Sequence, residues 1–217
     1  MTMTEPRTSP EIGGMGHSVK RKEDPRFIRG AGEYIDDVNL PGQLWLDIVR
    51  SPYAHATIKG IDSSEALKVP GVLAVITGKD LEGYKLHWMP TIAGDMQMVL
   101  PTDTVMYQSQ EVAAVIATSR YAAADGVAAV LVDYEPLPVI VNPRQAVADG
   151  APVIRDDKES QAGNVIYDWE VGDKAGTDRA FEQADLVSKL QLHYPRSHPS
   201  PLECCGAIAD LTGPPTS

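Results

Sequence analysis

The sequence predicts a mixed α/β (α+β) fold, on three observations. Short apolar or β-branched runs at 44–49, 72–77 and 111–118 are each bounded by turn residues. An alanine-rich stretch at 119–130 follows the third run directly and leads into a fourth, 131–134, so helix and strand alternate along the chain. Composition is that of a water-soluble globular domain, 43% hydrophobic and 23% charged over 217 residues, enough chain to bury a core without disulfide or metal staples.

Residues 1–16 are rich in Thr, Pro, Glu and Gly and read as a disordered leader. The turn signals Gly30-Ala31-Gly32 and Asn39-Leu40-Pro41-Gly42 precede a strand at 44–49. A second strand is expected at 56–61. Asp62 or Ser63 then caps a short helix through Leu67, which Pro70-Gly71 ends. A third strand occupies 72–77, and residues 82–104, with Trp88, Met89, Pro90, Met96 and Met98, form a long packed connection.

The strand at 111–118 leads through a helix capped by Ser119 and weakened by Gly126 to the strand at 131–134. That order predicts a right-handed βαβ crossover. Asn142 caps a short helix at 143–148, and the polar stretch 156–164 is the expected linker. Beyond it the pattern predicts strands at 165–171, 186–194 and 204–211 and a helix at 178–184.

The formal charge of −11 argues against a nucleic-acid surface, which needs clustered Lys and Arg. Residues 1–30 carry +2 and the remainder −13, and Lys20-Arg21-Lys22 is followed at once by Glu23-Asp24, so the basic cluster reads as a solvated arm. The longest apolar runs, 112–117 and 127–132, have six residues each, far short of the ~20 that span a bilayer, so no transmembrane segment is expected. The only cysteines, Cys204 and Cys205, are adjacent and ill placed to pair with each other, which fits a reducing cytoplasm.

Motifs for chemistry are sparse. Gly13-Gly14-Met15-Gly16 and Gly30-Ala31-Gly32 do not complete a dinucleotide fingerprint, because Ile35 stands where a third glycine belongs. His193, His198, Cys204 and Cys205 match no ligand spacing, and Pro195, Pro199 and Pro201 keep that segment extended. The acidic pairs Asp36-Asp37 and Asp156-Asp157 read as turn caps, and Trp45, Trp88 and Trp169 are too scattered for a stacking platform.

Five segments stand out in order: Gly30-Ala31-Gly32-Glu33-Tyr34-Ile35-Asp36-Asp37, Arg50-Ser51-Pro52-Tyr53-Ala54-His55, Pro70-Gly71-Val72, Gln110-Glu111-Val112-Ala113 and Asp133-Tyr134-Glu135-Pro136-Leu137-Pro138. Together they resemble the large subunits of the molybdenum hydroxylase (xanthine dehydrogenase/aldehyde oxidase) family. Two more, Trp169-Glu170-Val171-Gly172-Asp173 and His198-Pro199-Ser200-Pro201-Leu202-Glu203, resemble the carbon monoxide dehydrogenase branch. The set runs collinearly over residues 15–211.

The resemblance implies an α/β-hammerhead domain at 17–155, the linker at 156–164, and at 165–217 the truncated start of a molybdopterin-binding region. Residues 165–217 should then be poorly stabilised. It implies the N-terminal fragment of an oxidoreductase large subunit that takes oxygen from water, inactive as an isolated chain.

A molybdenum–molybdopterin cofactor is implied for the complete subunit, with copper if it is a true carbon monoxide dehydrogenase. [2Fe-2S] centres and FAD are implied on an iron–sulfur small subunit and an FAD medium subunit, in a dimer of heterotrimers. A cytoplasmic location, peripheral at the inner membrane through the complex, goes with this. Carbon monoxide is the substrate by branch, with aldehydes and N-heterocycles left open.

The family's substrate-loop cysteine, its glutamine near molybdenum and its catalytic glutamate find no counterpart in these residues. No catalytic, cofactor-binding or metal-ligating residue is therefore named. Cys205 matches a family cysteine, and Cys204 replaces the threonine usual before it. The alternative is a stand-alone, non-catalytic hammerhead module for subunit assembly.

Overall fold

The structure, a computed structural model, describes residues 21–84, 86, 98–154, 163–165, 168–195 and 197–210. The leader, the Lys20 end of the basic cluster, Trp88, the acidic pair at 156–157 and most of the 156–164 linker lie outside the described residues.

In chain order the elements are α1 (Asp24–Phe27), β1 (Trp45–Arg50), β2 (Ala56–Asp62), β3 (Val72–Thr77), α2 (Gly78–Leu81), β4 (Thr104–Val105), β5 (Glu111–Ala117), α3 (Arg120–Ala129), β6 (Leu131–Pro136), α4 (Pro143–Ala146) and α5 (Lys174–Glu182). Single 3₁₀ turns occur at Ile35–Asp37, Ala66–Lys68 and Glu82–Tyr84. The mixed α/β expectation holds. No helix among the described residues is long and apolar enough to cross a membrane.

The strands form two antiparallel sheets, β1-β5-β3 and β4-β2-β6. This corrects the expected βαβ crossover. Both edges of β5 are taken by β1 and β3, so α3 delivers the chain to the other sheet, where β6 pairs antiparallel with β2. The rule for parallel crossovers has nothing to act on.

β5 is central because its run from Val112 to Ala117 is apolar throughout, with Val112, Ala113, Val115 and Ala117 fully buried. Val115 and Ala113 pack with Val49, Ala66 and Val130 on the α3 side, while Val112 packs with Ala56 and Val105. Each such valine contributes about 1.5–3 kcal/mol relative to exposure. α3 begins where the sequence placed it, the Ser119 hydroxyl accepting from the Ala122 amide at 3.1 Å. Asn142 caps α4 in the same way through the Arg144 amide at 2.9 Å.

Gly126 has the opposite value from the one propensity assigns. It is buried, and a Cβ there would stand 2.7 Å from Val115 Cγ1 and 2.8 Å from Val72 Cγ2. Both contacts are branches of stiff side chains. Gly126→Ala gains about 1 kcal/mol of helix propensity and loses about 1–3 kcal/mol to overpacking. A net loss of about 1 kcal/mol is expected in urea unfolding, and a raised midpoint would refute the packing argument.

Other differences concern the later chain. The helix expected at 178–184 starts earlier, because Asp173 Oδ1 accepts from the Gly176 amide at 2.8 Å and opens α5 at Lys174. The short helix expected before Pro70 is only the 3₁₀ turn Ala66–Lys68.

No strand forms among the described residues of 165–171, 186–194 or 204–210. Alternation at 186–194 supplies a pattern, but a strand also needs a neighbour to share its hydrogen bonds. No described residue supplies one. Leu186, Leu190, Leu192 and Tyr194 are accordingly among the most exposed apolar side chains.

Two compact units are distinguished: residues 42–192, with both sheets, and a smaller one of residues up to 41 with those from 193 onward. Within the smaller unit the Ile35 amide donates to Glu203 Oε1 at 2.9 Å.

Candidate functional site

Within residues 42–192, three loops meet: 51–55 between β1 and β2, 106–110 between β4 and β5, and 137–140 after β6. Ser51 is the hub and is 2% exposed. Its amide donates to the Gln110 carbonyl at 2.9 Å, and its carbonyl accepts from the Ser109 amide at 2.9 Å. Its hydroxyl donates to the Tyr53 carbonyl at 2.9 Å and accepts from the Tyr53 amide at 3.0 Å. Buried Gln110 turns its Oε1 back to accept from the Met106 amide at 2.6 Å.

His55 ties in the third loop. Its carbonyl accepts from the Leu137 amide at 3.0 Å. Its Nδ1 lies 2.7 Å from the Pro138 carbonyl, an acceptor only, which assigns the ring proton to Nδ1. Ser109, at φ +68°, occupies the left-handed region, where a non-glycine residue costs roughly 1 kcal/mol or more and persists only if its surroundings hold it. Here the Ser51 carbonyl holds its amide, and Arg50 Nη1 donates to its carbonyl at 2.9 Å.

Arg50 also pairs with Glu111 Oε1 at 2.5 Å, and the Tyr107 hydroxyl donates to Glu111 Oε2 at 3.2 Å. Partial burial pushes the Glu111 carboxyl up, but its own backbone amide, the Arg50 guanidinium and the Tyr107 phenol together outweigh that and hold it below the usual carboxylate range. A depressed folded-state pKa stabilises above the unfolded value, and that stability is lost as pH falls through the folded pKa. Glu111→Gln should therefore cost about 1 kcal/mol near neutrality, a modest figure because Arg50 is half exposed. The difference from wild type should shrink on acidification; a pH-independent difference in urea midpoints would sink the ion-pair account.

The Tyr134 hydroxyl is buried and unpaired among the described residues. Burial pushes its phenol up; the neighbouring Ser51 hydroxyl pulls the other way without reaching hydrogen-bond geometry. The ring packs on Tyr53, centroids 5.3 Å apart.

Between the loops lies a concavity of about 130 Å³ lined by His55, Met106, Tyr107, Val139, Ile140 and Ile154 among others. Ligand pockets run to about 300–1,000 Å³. The junction therefore fixes three loops, and its concavity falls below that range. Nor does any set of three His, Cys, Asp or Glu side chains among the described residues converge on a metal position. The described residues do not fit the molybdenum cofactor that the resemblance implies.

The residues weighed from sequence are scattered. Gly30, at φ +71°, ends α1, its amide donating to the Phe27 carbonyl at 3.0 Å. A glycine closing a helix presents carbonyls, the wrong polarity for a phosphate. Asp37 Oδ2 accepts from the Tyr34 amide at 2.9 Å, a turn cap as expected of Asp36-Asp37.

Trp45 packs beside Ala117, Ala122 and Ala123 under the Arg120 guanidinium, 4.8 Å from its ring. Trp169 is exposed. His193, Cys204 and Cys205 are exposed as well, and His198 Nδ1 accepts from the Ser200 amide at 3.0 Å. The junction through Ser51 and Gln110 was not singled out by spacing, although both residues stand in the segments that carry the resemblance.

Comparison with known proteins agrees with that resemblance. Residues 29–138 match the model for aldehyde oxidase and xanthine dehydrogenase, a/b hammerhead domain. The chain is 50% identical to the carbon monoxide dehydrogenase large chain of Afipia carboxidovorans, over 96% of this chain and 27% of that relative. It is 37% identical to the nicotine 6-hydroxylase large subunit of Paenarthrobacter nicotinovorans, over 90% of this chain and 24% of the relative.

A crystal structure of the Cu,Mo-CO dehydrogenase in its carbon monoxide reduced state superposes with a TM-score of 0.70 at 50% identity, covering 80% of this chain and 23% of that one. The chain thus spans about a quarter of the length of the curated relatives it matches. It belongs to the aldehyde oxidase and xanthine dehydrogenase family and carries that family's a/b hammerhead domain.

Proposed function

We propose that this chain supplies the hammerhead portion of the large subunit of a carbon monoxide dehydrogenase-like molybdenum hydroxylase, an oxidoreductase whose reacting centre is built by other parts of the polypeptide. The observation that carries the reading is the 50% identity to a carbon monoxide dehydrogenase large chain across 96% of the chain. On this proposal the hammerhead spans 17–155, the linker 156–164 and the beginning of the molybdopterin-binding region 165–217. In this reading the complete subunit carries molybdenum–molybdopterin and, as a carbon monoxide oxidiser, copper. Iron–sulfur and FAD subunits are its partners, and no residue of these 217 touches substrate.

The test compares the 217-residue chain with a complete large subunit, each coexpressed with iron–sulfur and flavin subunits. Metal analysis and carbon monoxide-dependent dye reduction should find molybdenum and turnover only with the complete subunit. Stoichiometric molybdenum on the short chain, or a complete subunit that takes up none, would overturn the reading. The buried clusters that the two sheets form with α3 favour one second reading, a non-catalytic assembly module. That reading expects the short chain alone to copurify with either partner, and fails if it retains neither.

A further inference from the structure

The β1-β5-β3 sheet carries apolar side chains on both faces. α3 and the turn Ala66–Lys68 pack against it, and the sheet residues they bury, Val49, Ala113 and Val115 among them, share one face. The pairing register fixes what occupies the other. Leu46 stands opposite Ile116, which stands opposite Ala74; Ile48 stands opposite Ala114, which stands opposite Ile76. Strand alternation puts all six on the face away from α3. The result is a grid of two rows and three columns, wholly aliphatic.

None of the six joins the buried clusters found among the described residues. Ala114, at the centre, is buried, but Leu46 is 58% exposed, and Ile48, Ala74, Ile76 and Ile116 are half-buried. An antiparallel sheet that faces water on one side alternates apolar with polar residues. This one does not, so its sequence is that of a middle layer.

We infer that this grid is the docking face for an apolar-striped helix of the same polypeptide, contributed by sequence outside these 217 residues. Size and area single out that occupant. Three strands spaced ~4.8 Å apart make a strip about 10 Å wide, the diameter of a helix. The aliphatic area is roughly 200 Å², well under the ~800 Å² per partner that a stable complex of separate chains buries. A second copy or a free protein would gain too little here, whereas a covalently tethered element needs no large interface.

The known relatives have the chain to supply it, since these residues span 27% of the carbon monoxide dehydrogenase large chain. The grid carries no charge, so the facing stripe is aliphatic rather than basic or acidic. The inference rests on the proposed function only in requiring a longer polypeptide.

Maleimide labelling of Leu46→Cys, quantified peptide by peptide and normalised to the urea-unfolded protein, tests it in the 217-residue chain and in the complete large subunit. In the short chain the thiol should react as fast as exposed Cys204 and Cys205. In the complete subunit it should react at least tenfold more slowly. Equal rates in the two proteins, or protection already present in the short chain, would overturn the docking face. If the variant fails to fold, carbene footprinting of Leu46 and Ile48 in the unmodified proteins gives the same comparison. Protection of Leu46 in a complete subunit that takes up no molybdenum would leave the docking face standing and sink the proposed function alone.

Discussion

Val115→Asp is expected to abolish cooperative folding of the two-sheet unit near neutral pH. Val115 is fully buried at the middle of β5, packed with Val49, Ala66, Ala113 and Val130. Its cross-strand neighbours in the register are Asp47 on β1 and Val75 on β3. A carboxylate there would be desolvated, with no cation in its packing cluster among the described residues, and directly opposite a second carboxylate. Each condition alone is destabilising. Together they should cost about 5 kcal/mol, comparable with the whole stability of a typical domain at about 5–15 kcal/mol.

The sign with pH follows from burial. The new carboxyl's folded-state pKa would be raised, so the cost is small below the unfolded value and grows as pH rises toward the folded one. Soluble yield and far-ultraviolet circular dichroism should show an unfolded variant near neutrality that regains structure progressively as pH falls toward the unfolded carboxyl's pKa, about 3.9. Val115→Thr, similar in volume but uncharged, should remain folded with a smaller loss. A Val115→Asp protein unfolding within about 1 kcal/mol of wild type would disprove the central position of β5.

Such arguments work where the sequence itself was legible. The burial pattern of β5 can be read from Glu111 to Ala117, because an unbroken apolar run bounded by turn signals has few other uses. Ser119 and Asn142 were legible as caps for the same local reason. Pairing was not. Strand–helix–strand order over 111–134 is common to a parallel crossover and to a chain that changes sheets, and only the competition of β1 and β3 for the two edges of β5 decides between them.

The stretches 186–194 and 204–210 differ from expectation for another reason. Alternation is present at 186–194, but a strand is a property of a pair, and the described residues hold no partner for either stretch. At the loop junction, Ser51, Gln110 and His55 act through backbone hydrogen bonds between loops far apart in sequence, which spacing rules do not register. The resemblance marked those residues without saying what they do; the geometry assigns them to holding loops.

The second large effect is expected at Gly78, which has no motif value in the sequence as one glycine between Thr77 and Lys79. It opens α2 and is buried. A Cβ there would stand 2.7 Å from the Pro101 carbonyl carbon and 2.8 Å from the Leu100 carbonyl oxygen. These are backbone atoms of a buried pair, Leu100 being 4% exposed, so they cannot rotate aside as a side-chain tip would. Gly78→Ala gains up to about 1 kcal/mol by restricting the unfolded chain. It must then separate α2 from the 100–101 segment, at a cost of about 3 kcal/mol or more.

A net loss of about 2–3 kcal/mol corresponds to a melting temperature lower by roughly 4–12 °C for a chain of this size. Gly83 is the internal control, because it lies in the 3₁₀ turn just beyond α2 with nothing within 4 Å of its would-be Cβ. Gly83→Ala should leave the melting temperature unchanged or slightly raised. If calorimetry shows the two substitutions shifting it equally, close approach at Gly78 is not what holds α2 against the 100–101 segment, and the glycine owes its place to local conformation alone.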